Sequence, residues 1–135
     1  MLELPDESRP AAAWVCLGSP CVGAFVPCYL DGEVPAELAL GGAQPDAESP
    51  WWRMRRLLTL VERDFARHAP AVRARWDAFE AALEREAAAV EAEAAAALRA
   101  GDAAAASAVL TGFMARATSR HRVEAEALVR DLGAV

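Results

Sequence analysis

An α+β fold is predicted for this chain: a short β-hairpin followed by three helices, the last two a long antiparallel hairpin. Three observations predict it. Strong β character is confined to Trp14–Gly32. Apolar residues recur at helical spacing from Ser49 to the C-terminus. A single Gly101-Asp102 break divides the long alanine-rich part in two. The 135 residues suit one domain, or a fragment of one, divided into a lead-in at 1–11, a strand pair at 12–30, a loop at 31–49 and a helical part at 50–135.

The strand pair comes first. Trp14, Val15, Cys16 and Leu17 form a short apolar run, and Gly18-Ser19-Pro20 turns the chain. Val22 to Leu30 is the second run, closed by Asp31-Gly32. Pro27 lies inside it and donates no ladder hydrogen bond, which marks an edge or a bulge. Residues 31–49 hold Gly32, Pro35, Gly41, Gly42 and Pro45 and read as loop, with room for a helical turn at Ala36–Leu40.

Helix one starts at Ser49, a good N-cap, with Pro50 at the first helical position. Trp51, Met54, Leu57, Leu58, Val61 and Phe65 make its inward face, and Arg53, Arg56 and Arg63 fall elsewhere. Its end is expected near Arg67 or His68, with Pro70 opening helix two. Helix two runs to Ala100 on a stripe of Val72, Trp76, Phe79, Leu83, Val90 and Leu98, a rod about 45 Å long. Helix three covers about Ala103 to Leu132 on Leu110, Phe113, Met114, Ala117, His121, Ala125, Leu128 and Leu132. Trp51 and Trp76 are both expected to be buried. A two-stranded sheet is marginal and leaves two open edges, so self-association centred on Val22–Tyr29 is expected.

The net charge of -6 and the pI near 4.9 argue against a nucleic-acid partner, which requires a basic face. All fourteen basic residues are Arg, and Lys, Asn and Ile are absent, the imprint of a GC-rich genome. No apolar run reaches the roughly 20 residues that span a bilayer, so no membrane partner is expected. The acidic N-terminus, MLELPDESRP, lacks the pattern of a signal peptide. The expected location is therefore cytoplasmic, with Cys16, Cys21 and Cys28 as free thiols.

A tryptophan strand, then Gly18-Ser19-Pro20-Cys21, then Phe25, Pro27 and Tyr29, then Gly32 and Pro35, resembles the C-terminal part of the secernin/dipeptidase family. Ser49-Pro50-Trp51-Trp52 extends the resemblance into the next helix, over roughly residues 12 to 62. These are N-terminal-nucleophile (Ntn) cysteine hydrolases. The resemblance implies a C-terminal part of an αββα fold and, in the intact enzyme, hydrolysis of a peptide or amide bond in a small peptide substrate. The missing N-terminal part of the enzyme would be the partner. That chemistry uses an N-terminal cysteine whose own α-amine serves as base. The chain begins Met1-Leu2, so the nucleophile is not carried over to any cysteine here, and no catalytic residue is assigned.

Ser19 and Cys21, on a turn beside strand ends, are the candidate substrate-binding residues. His121 and Glu124 have a spacing suited to two metal ligands, but no second pair completes a site, so a surface or half-buried histidine is expected. No cofactor or metal is called for. The arginines from Arg53 to Arg75 read as a solvated face with local pairs such as Arg73 with Asp77. The alternative to the dipeptidase segment is a free-standing helical-hairpin interaction or oligomerisation module without catalysis.

Overall fold

A computed structural model describes residues 10–134. The lead-in predicted at 1–11 lies almost wholly outside them. The architecture is α+β. Strands β1 (Ala12–Leu17) and β2 (Ala24–Tyr29) form an antiparallel hairpin. Helices α1 (Pro50–Val61), α2 (Phe65–Arg99) and α3 (Ala103–Gly133) follow. The loop holds a 3₁₀ turn at Ala36–Ala39, where a helical turn was expected.

The helix signals act as chemistry requires. Ser49 caps α1 by accepting the Trp52 N–H at 3.5 Å. Gly101 takes a φ of +76°, open to glycine at little cost. Its N–H donates to the Leu98 carbonyl and the Asp102 N–H to the Ala97 carbonyl, both at 2.9 Å, closing α2 in a Schellman motif. Asp102 then caps α3 by accepting the Ala105 N–H at 2.9 Å. The reversal takes so few residues that α2 and α3 must run antiparallel.

Three expectations about the helices are corrected. Helix one ends at Val61, a 3₁₀ turn spans Glu62–Asp64, and α2 begins at Phe65 with Pro70 inside it. Asp64 sets the earlier start by accepting the Arg67 N–H at 3.3 Å. Pro70 is the sixth residue of α2, just past the first turn whose N–H groups lack intrahelical partners, so it forfeits the one bond it would have donated to the Ala66 carbonyl. Trp51 is 54% exposed and packs edge-on against Trp52 at 4.6 Å. The inward face of α1 is Met54, Leu57, Leu60 and Val61. Arg53, expected on the polar side, is 8% exposed. It is buried because its Nη2 donates to the Ala47 and Glu48 carbonyls and its Nε faces Glu126 at 3.6 Å.

The core runs along α2 and α3. At one end Val22, Met54, Leu57, Val72, Trp76, Ala125 and Leu128 cluster. At the other, Val26, Tyr29, Leu83, Leu110, Phe113 and Met114 do. Small Ala87, Ala94, Ala106 and Ala117 are buried in this second cluster, where the two long helices meet. Ion pairs tie the helices across the seam: Arg75 to Glu124 at 2.5 Å and Asp131 at 2.8 Å, and Arg120 to Glu86 at 2.6 Å.

Two substitutions separate these environments. Trp76→Ala should cost roughly 3–5 kcal/mol in chemical denaturation, because it empties a closed site. Trp51→Ala should cost under about 1 kcal/mol, as surface changes do. Equal losses at the two positions would contradict the assignment of the α1 face.

Candidate functional site

The hairpin stands edge-on to the helices. Its register pairs Ala12 with Tyr29, Trp14 with Pro27 and Cys16 with Phe25. The Leu30 N–H donates to the Ala11 carbonyl at 3.0 Å. Hydrogen-bonded pairs alternate in an antiparallel ladder, so residues 11, 13, 15 and 17 of β1 face β2. Residues 25, 27 and 29 of β2 therefore aim their backbone away from β1, toward the helices. The Phe25 N–H donates to Glu80 Oε1 at 2.9 Å, and the Tyr29 N–H to the Met114 sulfur at 3.2 Å. Pro27, between them, has no N–H to satisfy. The expectation of two open edges is thus corrected. The β2 edge is closed by α2, α3 and a proline.

The same asymmetry overturns the placement of the exposed surface. Val22, Val26 and Tyr29 are buried, so Val22–Tyr29 is not an accessible association surface. Tyr29 also donates its hydroxyl to Glu91 at 2.8 Å, and burial with that hydrogen bond pushes its pKa far up. The open edge is that of β1. Its outward backbone groups belong to Ala12, Trp14 and Cys16, and among the described residues no strand pairs with them. Trp14 is 37% exposed and Val15 41%, with Phe25 beside them at 36%.

The turn between the strands holds both residues singled out for substrate binding. Gly18 has a φ of +99°, and a Cβ there would lie 2.8 Å from Met54 Cβ. The Val22 N–H closes the turn on the Ser19 carbonyl at 3.0 Å. Ser19 Oγ and Cys21 Sγ lie 3.1 Å apart and share a hydrogen bond. Ser19 lines a cavity of about 280 Å³ with Cys16, Gly18, Trp51, Met54, Arg55 and Leu58, and Cys21 is not part of that lining. None of these lining groups is a base that would take a proton from a nucleophile. Burial, and then the nearby Glu80 charge, raise the Cys16 thiol. Burial alone raises Cys28. Both are held as thiols, and the thiolate is the reactive form.

His121 and Glu124 serve different partners. Glu124 is engaged by Arg75. His121 lies in the core, 1% exposed, a correction to the half-buried residue expected. Its ring stacks on Trp76 at 4.9 Å with an 11° tilt, and Nε2 has no hydrogen-bond partner. Among the described residues no group of three His, Cys, Asp or Glu is placed to hold a metal. Nor is any described helix long and apolar enough to cross a membrane. The arginine face is as read from sequence in one respect: Arg73 bonds Asp77 at 2.7 Å. It also reaches Glu80 at 3.0 Å and the Gly23 carbonyl at 2.8 Å, so it fixes the hairpin to α2.

No protein-family model, no curated protein and no solved structure matches the chain. The site therefore stands on its own geometry.

The buried histidine makes stability depend on pH. Desolvation, with Arg53 adding to it, lowers the His121 pKa from 6.5 to about 4. The unfolded chain takes up the proton first as pH falls, so the stability is full above about pH 6.5 and is lost on going down toward 4. Between pH 7 and 5 the loss should be about 2 kcal/mol. Urea unfolding of the parent and of His121→Phe at both pH values checks it. A parent no more pH-sensitive than the variant would contradict this burial.

Proposed function

We propose that this chain is the C-terminal, non-catalytic segment of a secernin-like cysteine dipeptidase, and that its β1 edge takes up a strand from the part that carries the nucleophile. One observation carries the reading: the hairpin is closed on the β2 side and open on the β1 side. A half-finished ladder with an exposed Trp14 beside it is suited to strand addition, in which main-chain hydrogen bonds supply affinity. The order Trp14, Gly18-Ser19-Pro20-Cys21, Phe25, Pro27, Tyr29, Gly32, Pro35 resembles that family and supports the reading. Strand addition here is the step that would extend the hairpin toward the αββα sheets of an Ntn hydrolase.

In that assembly the nucleophile is an N-terminal cysteine on the partner segment, with its α-amine as base. The substrate is a small peptide. Ser19, at the mouth of the turn cavity, and Cys21, bonded to it, would border the substrate on this side. Cys16 and Cys28, held as thiols, take no part in bond breaking.

A second reading has an observation of its own. Most of the second core cluster comes from α2 and α3 packing on each other, with Val26 and Tyr29 added from β2, an arrangement compatible with a free-standing module. The chain would then be an interaction module without catalysis, and β1 would pair with β1 of a second copy.

Two measurements test the proposal. The purified 135-residue chain should not hydrolyse a dipeptide panel; turnover abolished by replacing one cysteine would overturn the non-catalytic reading. Light scattering over a concentration series should show association that Trp14→Lys weakens, because a charge on an edge strand opposes pairing. Raising salt should not dissolve the contact, since it rests on backbone bonds and apolar surface. A monomer at high micromolar concentration would remove the strand-accepting edge from both readings.

A further inference from the structure

On the far side of α1 from the core lies a groove of about 940 Å³, within the size range of small-molecule sites. Its walls are the segment 45–48, the α1 face bearing Trp52, Arg55, Arg56 and Thr59, and the last turns of α3 at Val129 and Arg130. Positions 52, 55, 56 and 59 fall together because residues three and four apart share a helix face.

The groove is preformed. Arg53 holds its rim by donating to the Ala47 and Glu48 carbonyls, both at 3.3 Å. The Trp52 indole N–H donates to the Gly42 carbonyl at 3.0 Å, which fixes the ring. The Glu48 N–H donates to Asp46 Oδ1 at 2.9 Å.

The charge is unevenly spent. Of the three lining acids, only Glu126 is ion-paired, with Arg53 at 3.6 Å and Arg122 at 3.8 Å, while Asp46 accepts that N–H and keeps its charge. Arg53 is consumed in turn by the rim and by Glu37 and Glu126. Arg55, Arg56 and Arg130 form no ion pair among the described residues, three cations against Asp46 and Glu48 as the acids of the lining without an ion pair. Arg130 sits in the last turn of α3, where it offsets the negative end of the helix dipole. The guanidinium groups left to meet an incoming anion are those of Arg55 and Arg56.

We propose that this groove binds a small organic anion with a flat apolar body, the oxyanion head on Arg55 and Arg56 and the body against Trp52 and Val129. The planar guanidinium fork matches phosphate and carboxylate oxygens in pairs, and Trp52 offers an immobilised aromatic wall. This site is separate from the strand edge and from the turn cavity, although Arg55 stands between the groove and the latter. Its occupancy does not require the chain to belong to any enzyme.

The test is isothermal titration of the full chain with four probes: 1-naphthyl phosphate, 1-naphthoate, inorganic phosphate and 1-naphthol. At least one naphthyl anion should saturate below millimolar concentration, at least tenfold tighter than phosphate or naphthol. Which one does so tells a phosphate ligand from a carboxylate ligand. The double variant Arg55→Gln, Arg56→Gln should weaken that binding at least tenfold with an unchanged melting temperature, since both side chains are exposed and unpaired. Trp52 fluorescence, read in a Trp14→Phe, Trp51→Phe background in which the core Trp76 is the one other tryptophan, should change on binding. No saturation by either anion, equal binding of naphthol, or full binding by the double variant would each overturn the proposal.

Discussion

Trp76 is the contact on which the rest of the structure depends. It has no solvent exposure, and its position on α2 lets one side chain bind three elements. The indole N–H donates to the Val22 carbonyl at 2.9 Å and pins the entry to β2. One ring face lies on His121 of α3. Its edge meets Phe79, a turn farther along α2, at 5.5 Å. A buried indole must find an acceptor for its N–H, and a loop carbonyl beside a strand satisfies that need while fixing the hairpin. The cost is borne by His121, which fills the stack but leaves Nε2 unpaired, so the core tolerates it only as a neutral ring.

From that anchor follows the asymmetry of the hairpin. With Val22 fixed, β2 enters the cleft between α2 and α3 edge first. Its outward N–H groups then need acceptors, and Glu80 and Met114 supply them. A carboxylate is a strong acceptor and a thioether a weak one, so the bond at Phe25 is the firmer of the two. Arg73 holds Glu80 in place and reaches the Gly23 carbonyl, which completes a clamp on one end of β2. Strand β1 receives no comparable support. Among the described residues it is held by β2 alone over most of its length, and no described strand pairs with its outer row. Function, in the reading proposed here, is located where the fold stops satisfying its own backbone.

The helical layout was legible because its signals are local. Ser49-Pro50, Gly101 and Asp102 each act within a turn of their own position, and the stripes of α2 and α3 repeat often enough to be read. Pro70 misled because a proline near a helix start resembles one at it, and the Asp64 cap six residues earlier outweighs it. Trp51 misled because hydrophobicity was taken for burial on a short helix, where Arg53 instead turns inward to reach loop carbonyls five and six residues before it, a contact that helical spacing does not reveal. The closure of β2 was not readable, since Glu80 and Met114 lie 55 and 85 residues from the amides they accept. Only Pro27 hinted at it. Ser19 and Cys21 were found as neighbours in a turn, but Cys16 as the cavity-lining thiol was not distinguished from them. Nor was the groove, whose arginines are unpaired for reasons of three-dimensional placement.

The central claim is that β1 presents the one unfinished edge of the hairpin. Residue-resolved amide hydrogen exchange measures it directly, at low and at high protein concentration. The account predicts fast exchange at Trp14 and Cys16 in dilute protein, with protection rising as the chain is concentrated. Phe25, Val26, Cys28 and Tyr29 should be protected throughout. Slow exchange at Trp14 and Cys16 in dilute protein, or fast exchange at Phe25 and Tyr29, would contradict it.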